Sequence, residues 1–172
     1  MEPHYRITLR AVEPADADFM FDVENDPDAW KYGDNIAPIS RKLLRDYALG
    51  YDADPFSARQ LRLIVCDCRN GKQLGIADIY DISAVHHRGF AGIYILREFR
   101  KQGYAEEALN ALSDYARNVL NLHKIWAHIE DGNIASEKLF IKCGFSKEAS
   151  VSQWTCRADT YHDLLIFSKT FA

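Results

Sequence analysis

The sequence predicts a mixed α/β fold with a largely antiparallel sheet, and three observations support this prediction. Strand-like segments are joined by tight turns, most clearly at residues 69–72, Arg-Asn-Gly-Lys. One long amphipathic helix separates two groups of strands. Strands and helices do not alternate regularly along the chain, which argues against a doubly wound parallel sheet.

The first third of the chain is predicted to contain one strand and two helices. Residues 5–10 alternate with period two, which is typical of a strand. Pro14 opens a segment whose apolar residues recur at helical spacing. Ser40 is the predicted N-cap of a second helix over residues 41–51, and residues 52–57 are predicted to form a loop.

The middle of the chain is predicted to be a hairpin, a further strand and a long helix. Residues 61–67 and 73–83 form the hairpin strands on either side of the 69–72 turn. A strand over residues 90–96 follows. Apolar residues then recur at helical spacing over residues 104–122, which predicts the clearest amphipathic helix of the chain.

The last third is predicted to contain a strand over residues 124–130 and a short helix over 135–142, closed by Gly144. Two strands joined near residues 157–160 complete the chain. We find no internal repeat, low-complexity segment or linker, so we expect a single domain over residues 1–172.

Composition limits the classes of function. The 172 residues are 48% hydrophobic and 27% charged, which is enough for a sizeable core. A net charge of -4 argues against a nucleic-acid binder, and no apolar run of about 18 residues is present to span a membrane. Without a C-x-x-C pair or a secretory signal, reduced cysteines in a cytoplasmic protein are expected.

The N-terminal third carries the negative charge, because residues 1–60 contain 12 acidic and 7 basic residues. Six acidic residues occur at close spacing: Asp16, Asp18, Asp22, Glu24, Asp26 and Asp28. Such a run is typical of a solvated helix face. It could also line a site that attracts polyamines or other cations.

Residues 100–105, Arg-Lys-Gln-Gly-Tyr-Ala, lie between a strand and the start of the long helix. A helix N-terminus offers unpaired backbone N–H groups and the positive end of the helix dipole, which together bind phosphate. Gly103 lets the backbone approach an anion closely, and Arg100 and Lys101 add positive charge. A plain strand-to-helix turn has a similar composition, and the segment is neither a Walker loop nor G-x-G-x-x-G.

A second informative segment spans residues 133–145, where Asn133 can cap a helix and Gly144 can end it. Each of these features has a structural explanation. The two segments in this order and at this separation are far more specific than either alone.

With both segments in place, the chain resembles the GNAT family of N-acetyltransferases. Arg100-x-x-Gly103-x-Ala105 matches the family's Q/R-x-x-G-x-G/A coenzyme A loop, and residues 133–145 match its N-x-x-[AS]-x-x-[LI]-[YF]-x-K-x-G-F segment. The resemblance covers essentially the whole chain. It implies the GNAT fold, an α/β (α+β) arrangement with a mostly antiparallel six- to seven-stranded central sheet flanked by about four helices.

Within the family, the chain is similar to two branches, the RimJ/RimL-like ribosomal-protein N-terminal acetyltransferases and the bacterial spermidine acetyltransferases. The segments shared with both are Leu9-Arg10, His86-His87-Arg88 and Tyr161-His162-Asp163. The resemblance implies direct transfer of an acetyl group from acetyl-CoA to a protein N-terminus, a polyamine or another small amine in a ternary complex. It also implies a possible homodimer. The alternative is a GNAT-fold module that binds or senses acyl-CoA without turnover.

The resemblance further implies that the fourth and fifth strands splay apart and hold pantetheine between them. The implied coenzyme-binding residues are Ile93, Tyr94, Ile95, Arg100, Lys101, Gln102, Gly103, Tyr104, Ala105, Glu106, Asn133, Ser136, Phe140 and Lys142. The backbone of the first three pairs with pantetheine, the amides of residues 100–106 hold the diphosphate, and the last four lie along the thioester and adenine.

Catalysis requires a place for the carbonyl oxygen's negative charge and a proton for the leaving thiolate. The family resemblance implies a backbone N–H near Tyr94 or Ile95 as the oxyanion donor. Many relatives have a tyrosine where this chain has Phe140, which has no proton to give. In the RimL-like branch a serine at the position of Ser136 is thought to hydrogen-bond the sulfur, so Ser136 is the candidate catalytic residue.

The general base is not determined by the sequence. Both branches tend to carry a glutamate where this chain aligns Thr155. The remaining titratable candidates near the strands are Asp78, Asp81, His86 and His128, and a water chain could serve instead.

The adjacent histidines His86 and His87 also raise the question of a metal site. Adjacent residues on a strand point to opposite faces, so they seldom bind one ion together. Without a matching Cys/His cluster, no metal is expected.

Overall fold

The computed structural model describes residues 5–33, 37–51 and 54–171. The strands are β1 (Ile7–Ala11), β2 (Gln60–Asp67), β3 (Gln73–Ser83), β4 (Arg88–Ile95), β5 (Lys124–Glu130), β6 (Ser146–Arg157) and β7 (Thr160–Thr170). The helices are α1 (Ala17–Glu24), α2 (Pro27–Trp30), α3 (Arg41–Leu49), α4 (Pro55–Ala58), α5 (Tyr104–Asn118) and α6 (Ile134–Lys142). Short 3-10 turns lie at Pro14–Asp16 and Arg97–Phe99.

The seven strands form one sheet in the order β1-β2-β3-β4-β5-β7-β6. All neighbouring strands are antiparallel except β4 and β5, which are parallel. Within the described residues, four helices are eight residues or longer, namely α1, α3, α5 and α6. The predicted α/β fold with a mostly antiparallel six- to seven-stranded sheet and about four helices is confirmed.

Two apolar layers cover the sheet, one on each face. On one face α5 buries Ala108, Leu109 and Leu112 completely, because these residues recur on one side of the helix. On the other face α1 and α3 cover the sheet with an apolar layer that includes Met20 and Leu44. The β4–β5 junction, where the resemblance implies the coenzyme site, lies between these layers.

The predicted element boundaries need three corrections. The long helix ends at Asn118 rather than at residue 122, because Asn121 adopts a left-handed backbone (φ 52°) that turns the chain. Residues 55–58 form the short helix α4 rather than a loop, capped by the Asp54 carboxylate, which accepts a hydrogen bond from the N–H of Phe56 at 3.1 Å. Residues 52 and 53 lie outside the described residues.

The third correction concerns the second helix, which ends at Leu49 rather than at residue 51, with Gly50 as its C-cap. Its predicted N-cap is confirmed, since the Ser40 hydroxyl accepts a hydrogen bond from the N–H of Leu43 at 3.1 Å. The cap of α6 is confirmed in the same way, because the Asn133 side chain accepts from the N–H of Ser136 at 3.3 Å.

The acidic run of the N-terminal third is not a uniform solvated face. Asp16 is only 2% exposed and accepts two hydrogen bonds of 2.7 Å from Arg10. Burial alone would raise the pKa of Asp16, but the hydrogen bonds that it accepts hold that pKa below its ordinary value. The exposed residues Asp18 and Asp22 both lie beside Arg41.

The last three acidic residues of the run reach across to the sheet and to the coenzyme loop. Glu24 binds Arg62 at 2.6 Å, and Asp28 binds Arg100 at 2.8 Å. The Tyr94 hydroxyl donates to Asp26. These carboxylates therefore tie α1 and α2 to the sheet and to the loop.

The helices and the cysteines of the described residues each allow one further statement. Among the described residues, no helix combines the length and apolar character needed to cross a membrane. Within the same residues the four cysteines, Cys66, Cys68, Cys143 and Cys156, are free thiols.

Candidate active site

The central feature of the site is a gap between β4 and β5. The two strands pair only from Arg88 to Phe90 on β4 and from Lys124 to Trp126 on β5. Beyond these pairs β4 continues with only β3 at its side and β5 with only β7, and all four strands are fully described. The strands therefore separate as the resemblance implies, and each arm has a backbone edge that faces the gap.

The backbone direction along β4 decides which groups reach the gap. A Cβ at Gly75 would collide with the carbonyl oxygen of Tyr94, so this carbonyl is directed toward β3. The N–H of Leu96 likewise donates to Leu74 of β3 at 2.9 Å. Because successive residues of a strand point their backbone groups to opposite sides, those of Ile93 and Ile95 face the gap.

Of the three predicted β4 positions, the structure thus brings Ile93 and Ile95 to the open edge and directs the carbonyl of Tyr94 away from it. The carbonyl oxygen of Ile95 already accepts a hydrogen bond of 2.9 Å from Nε of Arg100. The Ile93 amide and carbonyl and the Ile95 amide are therefore the groups best placed to pair with an amide-bearing ligand.

The loop that follows β4 forms the mouth of the gap. Its last residue, Gly103, is the N-cap of α5 and has a left-handed backbone with φ 88°, and Lys101 is also left-handed with φ 60°. A glycine N-cap has no side chain to occupy the first-turn amides. The N–H groups of residues 104–106 thus lie at the N-terminus of the 15-residue helix α5, the positive end of its dipole. This arrangement favours the binding of an anion.

Arg6 clamps this loop from the start of β1. Its guanidinium donates to the carbonyl oxygen of Gln102 at 2.9 Å and to Glu107 at 2.6 Å. Its backbone N–H also donates to Glu107 at 2.7 Å. Sequence reasoning missed Arg6, because almost a hundred residues separate it from the loop and nothing local links the two.

The acidic residues in the first turn of α5 are both paired. Glu107 is held by Arg6, and Glu106 binds Lys142 of α6 at 2.6 Å. The hydrogen bond to Glu106 raises the pKa of Lys142 above its ordinary value. Pairing removes negative charge that would otherwise repel a diphosphate at this helix terminus, and it places the predicted coenzyme residue Lys142 beside the loop.

Arg100, whose charge is predicted to attract the diphosphate, also has partners within the chain. Its guanidinium binds the carbonyl oxygen of Ile95 and the carboxylate of Asp28, and it lies 5.3 Å from the centre of the Tyr94 ring. The structure therefore places Arg100 at the end of β4, where it joins the strand to α2. Gln102 similarly donates to the carbonyl oxygen of Glu98 at 2.9 Å and fixes the loop from within.

Helix α6 contributes the other side of the coenzyme region. Ser136 is partly buried in its first turn, where its N–H is engaged by Asn133. Phe140 is 4% exposed and contacts Phe145 edge to face, with ring centres 4.9 Å apart. Phe140 is therefore a core residue without a proton to donate. The hydroxyl side chain of α6 is that of Ser136, which stays the candidate for the predicted hydrogen bond to the leaving sulfur.

The α1/α3 face of the gap carries the candidate base Asp78. Cross-strand pairing places Asp78 beside Gly92, and Tyr80 beside Phe90, on this face. Asp78 is bound through both oxygens by Arg62, at 2.9 and 3.0 Å. Burial raises the pKa of Asp78, and the charge of Arg62 opposes this rise.

The other candidates are placed very differently from one another. Asp81 has a left-handed backbone and is bound by Arg59. His86 lies in the turn before β4, at the closed end of the strand pair. His128 lies on β5 two residues beyond the last β4–β5 pair, with its ring 4.5 Å from that of Phe90.

Thr155, at the position where both branches tend to carry a glutamate, lies on β6 opposite His162 of β7. Its hydroxyl oxygen is buried and has no hydrogen-bond partner among the described residues. In those same residues, no group of three or more His, Cys, Asp or Glu side chains is arranged to hold a metal ion.

Comparison with known proteins agrees with this geometry. The model of the acetyltransferase (GNAT) domain matches residues 6–146. A spermidine N(1)-acetyltransferase of Vibrio cholerae is 26% identical over 151 residues, covering 83% of this chain and 80% of the relative. A putative ribosomal N-acetyltransferase of Bacillus subtilis is 25% identical over 177 residues, covering 94% and 90%.

Among solved structures, the crystal structure of the Vibrio cholerae spermidine N-acetyltransferase in complex with CoA and spermine superposes with a TM-score of 0.86. It is 25% identical and covers 96% of this chain and 95% of its own. The relatives include both branches that the sequence resembles. The chain therefore belongs to the GNAT family and is an acetyl-CoA-dependent N-acetyltransferase.

Proposed function

We propose that the chain transfers the acetyl group of acetyl-CoA directly to a primary amine while both substrates are bound. Pantetheine lies in the gap between β4 and β5, and the diphosphate rests on the loop of residues 100–106. The amine approaches from the face that carries α1 and α3. The acetylated amine and free CoA are the products.

The observation that carries this proposal is the early end of the β4–β5 pairing at Phe90 and Trp126. Exposed backbone N–H and C=O groups in the middle of a sheet are costly unless a ligand or water pairs with them. Pantetheine contains two amides on a narrow chain, so it can take the place of the missing strand. The open first turn of α5 lies where the diphosphate at the end of that chain would follow.

Each step of transfer has a candidate group in the chain. The amides of Ile93 and Ile95 face the gap and can donate to the thioester oxygen as negative charge develops on it. Ser136 is the predicted donor to the leaving sulfur. A hydroxyl hydrogen bond there would stabilise the thiolate, whose parent thiol has a pKa of about 8.5.

The relatives suggest where to begin with the acceptor. Spermidine is the substrate named for the Vibrio cholerae relative, and a ribosomal protein is suggested by the name of the Bacillus subtilis one. Polyamines and peptide N-termini are accordingly the first acceptors to compare. A homodimer, a single domain over residues 1–172 and a cytoplasmic location remain predictions, of which self-association is measurable by sedimentation.

The test combines binding with initial-rate kinetics. Calorimetry should show that CoA and acetyl-CoA bind the free protein. Rates measured by mass spectrometry of the acetylated amine, over varied concentrations of both substrates, should give intersecting double-reciprocal lines. Detecting the product itself avoids interference from the protein's four cysteines.

Two results would overturn the proposal. Parallel lines together with an acetylated protein intermediate would replace direct transfer by a two-step mechanism. Tight acetyl-CoA binding without turnover of any amine in a panel of spermidine, aminoglycosides, amino acids and peptide N-termini would leave coenzyme binding as the chain's activity.

A further inference from the structure

A shallow aromatic hollow lies on the α1/α3 face where the gap begins. We define this aromatic hollow by Tyr80 on β3, Phe90 and Gly92 on β4, and His128 on β5. The rings of Tyr80 and Phe90 are stacked with centres 5.6 Å apart, and those of Phe90 and His128 are 4.5 Å apart. Tyr80 is 37% exposed and His128 is also exposed, so the hollow is open to solvent.

Gly92 forms the floor of the aromatic hollow. A Cβ at this position would lie 3.5 Å from Cε1 of Tyr80 and 3.8 Å from Cβ of Asp78, in ordinary van der Waals contact. A methyl group would therefore fit without strain but would occupy the space beside the Tyr80 ring. Glycine leaves that space free, two residues beyond the last β4–β5 pair.

The aromatic hollow adjoins the point where the proposed function brings the thioester. Pantetheine enters the gap from the α5 end and runs along β4 toward the apex at Phe90. Its acetyl end must stop before the strands pair again, which puts it beside Ile93 and Gly92. A group bound above Gly92 is then within reach of the thioester carbon.

Exposure and position along the gap favour His128 among the candidate bases. Asp78 is held through both oxygens by Arg62, and Asp81 is held by Arg59. His86 lies in the hairpin turn on the far side of the paired residues. His128 combines exposure, a position at the start of the gap and a ring that forms one wall of the hollow.

We propose that the acceptor amine binds over Gly92 in the aromatic hollow and gives its proton to the imidazole of His128. This inference rests on the proposed function. The ligand class is a primary amine on an unbranched carbon chain, because ring faces such as those of Tyr80 and Phe90 attract an ammonium group and also pack against methylene groups. A neutral imidazole, with an ordinary pKa of about 6.5, can accept a proton near neutral pH.

The ammonium form of the amine transfers one proton to His128, and the neutral nitrogen attacks the thioester carbon. The C–N bond forms, the C–S bond breaks, and the second nitrogen proton leaves as the sulfur takes one up. His128 returns its proton to solvent, so one amine, as ammonium, and one acetyl-CoA give one amide, one CoA thiol and one proton.

Other ionisable groups share this face and must be considered in any pH profile. From β3 these are Asp78 and Tyr80, from β4 Tyr94, from β5 Lys124 and Glu130, from β6 Glu148 and Arg157, and from β7 His162. Several are paired already, since Glu130 is bound by Arg157 and Glu148 by Lys124. His162 is the other histidine among these groups, so it needs its own control.

The experiment compares His128→Gln with His86→Gln and His162→Gln. In wild type, kcat/KM for an alkylamine should fall as the pH drops below the pKa of one group near neutrality. We expect His128→Gln to lower kcat/KM about 100-fold and to abolish that limb. His86→Gln and His162→Gln should keep both the rate and the limb, and acetyl-CoA affinity should be unchanged in all three.

A second acceptor separates proton transfer from a structural role. Trifluoroethylamine is mostly neutral at pH 8 and does not need a base to release a proton before attack. The ratio of wild-type to His128→Gln rates should therefore be close to one with this amine and about 100 with an alkylamine. Equal ratios for the two amines would overturn the role of His128.

Gly92→Ala tests the binding site independently of His128. We expect it to raise the KM of the alkylamine about tenfold while leaving the affinity for acetyl-CoA unchanged, because the added methyl occupies the space beside the Tyr80 ring where the amine binds. An unchanged amine KM would overturn the site. If wild type turns over amines but neither variant behaves as expected, only this inference fails, whereas a wild type that binds acetyl-CoA without turnover would defeat the proposed function as well.

Discussion

The coenzyme loop at the mouth of the gap and the proposed acceptor face on the α1/α3 side are built in different ways. The loop relies on backbone conformation, with left-handed residues at Lys101 and Gly103 and open amides at the start of α5. The acceptor face relies on side chains that converge from distant strands and helices. Arg62, for example, joins Glu24 of α1 to Asp78 of β3.

The difference follows from what each side must bind. Every CoA molecule presents the same diphosphate and pantetheine, and peptide N–H groups recognise these without dedicated side chains. Amines differ in length, charge and shape, so the face that receives them must be specific. Ion pairs that hold α1 and α2 against the sheet define that face, and its character depends on contacts between residues far apart in the chain.

The largest expected effect comes from replacing Arg62, which supports the proposed acceptor face. Arg62→Met leaves the carboxylates of Glu24 and Asp78, each less than 20% exposed, without their partner. We expect a loss of about 3–5 kcal/mol in the free energy of unfolding, measured by urea denaturation. The matched control is Arg41→Met, whose partner Asp18 is 72% exposed, with an expected loss below about 1 kcal/mol. Equal losses would show that the acceptor face is not held by Arg62.

The next largest effect is expected from a substitution at Gly103 in the coenzyme loop. Gly103→Glu adds bulk and negative charge beside the open amides, so we expect calorimetry to show CoA binding weakened about 100-fold or more, equivalent to about 2.7 kcal/mol. Gly71→Glu is the control, since Gly71 also has a positive φ, of 72°, and a Cβ there meets no described atom within 4 Å. Unchanged affinity in Gly103→Glu would refute the loop as the diphosphate site.

A pH-dependent effect tests the support of α1. Asp16→Asn removes the charge that Arg10 binds, and we expect it to lower stability by about 2 kcal/mol at pH 7. The folded-state pKa of Asp16 is depressed, so its contribution is present above the unfolded pKa of about 3.9 and is lost as the pH falls below it. Denaturation curves of wild type and variant should therefore converge at low pH. A constant difference down to pH 2 would contradict this assignment.

A smaller effect tests the chemistry on α6. Ser136→Ala removes the predicted hydrogen bond to the leaving sulfur, so we expect kcat to fall about tenfold, or about 1.4 kcal/mol, with acetyl-CoA affinity nearly unchanged. Ser136→Cys keeps a weak donor and should retain an intermediate rate. If kcat is unchanged in the alanine variant, Ser136 has no part in the mechanism.

The smallest expected effect comes from replacing Arg6, which holds the coenzyme loop. Arg6→Gln removes a positive charge that neutralises Glu107 but leaves the backbone N–H of residue 6 in place. Because the pair is partly exposed, we expect CoA affinity to fall only about threefold, and less at high salt. Arg6→Lys should restore most of the affinity, and a variant that binds CoA as wild type does would remove Arg6 from coenzyme recognition.

Several features could be predicted because they depend on neighbours in sequence. The caps at Ser40 and Asn133 and the end of α6 just before Gly144 are confirmed at their predicted positions. The end of the long helix was wrong because apolar residues Leu120 and Leu122 stay buried after the helix has ended. Apolar spacing indicates which residues are buried, and here buried residues continue beyond the end of the helix.

The acidic run shows where sequence reasoning stops. Asp16 and Asp18 are two residues apart, yet one is buried against Arg10 and the other is exposed. Nothing in the local pattern distinguishes them. Arg6 was missed for the same reason, since its partner Glu107 is 101 residues away.

Local sequence features therefore predicted the fold class, the order of the seven strands and the two segments that mark the family. These depend on caps, turns and periodic burial, which act over a few residues. Only the tertiary structure shows where the β4–β5 pairing ends, how the acidic residues are paired and that His128 lies beside Phe90. Such contacts join strands and helices that are distant in the chain, and their energies exist only once the sheet has formed.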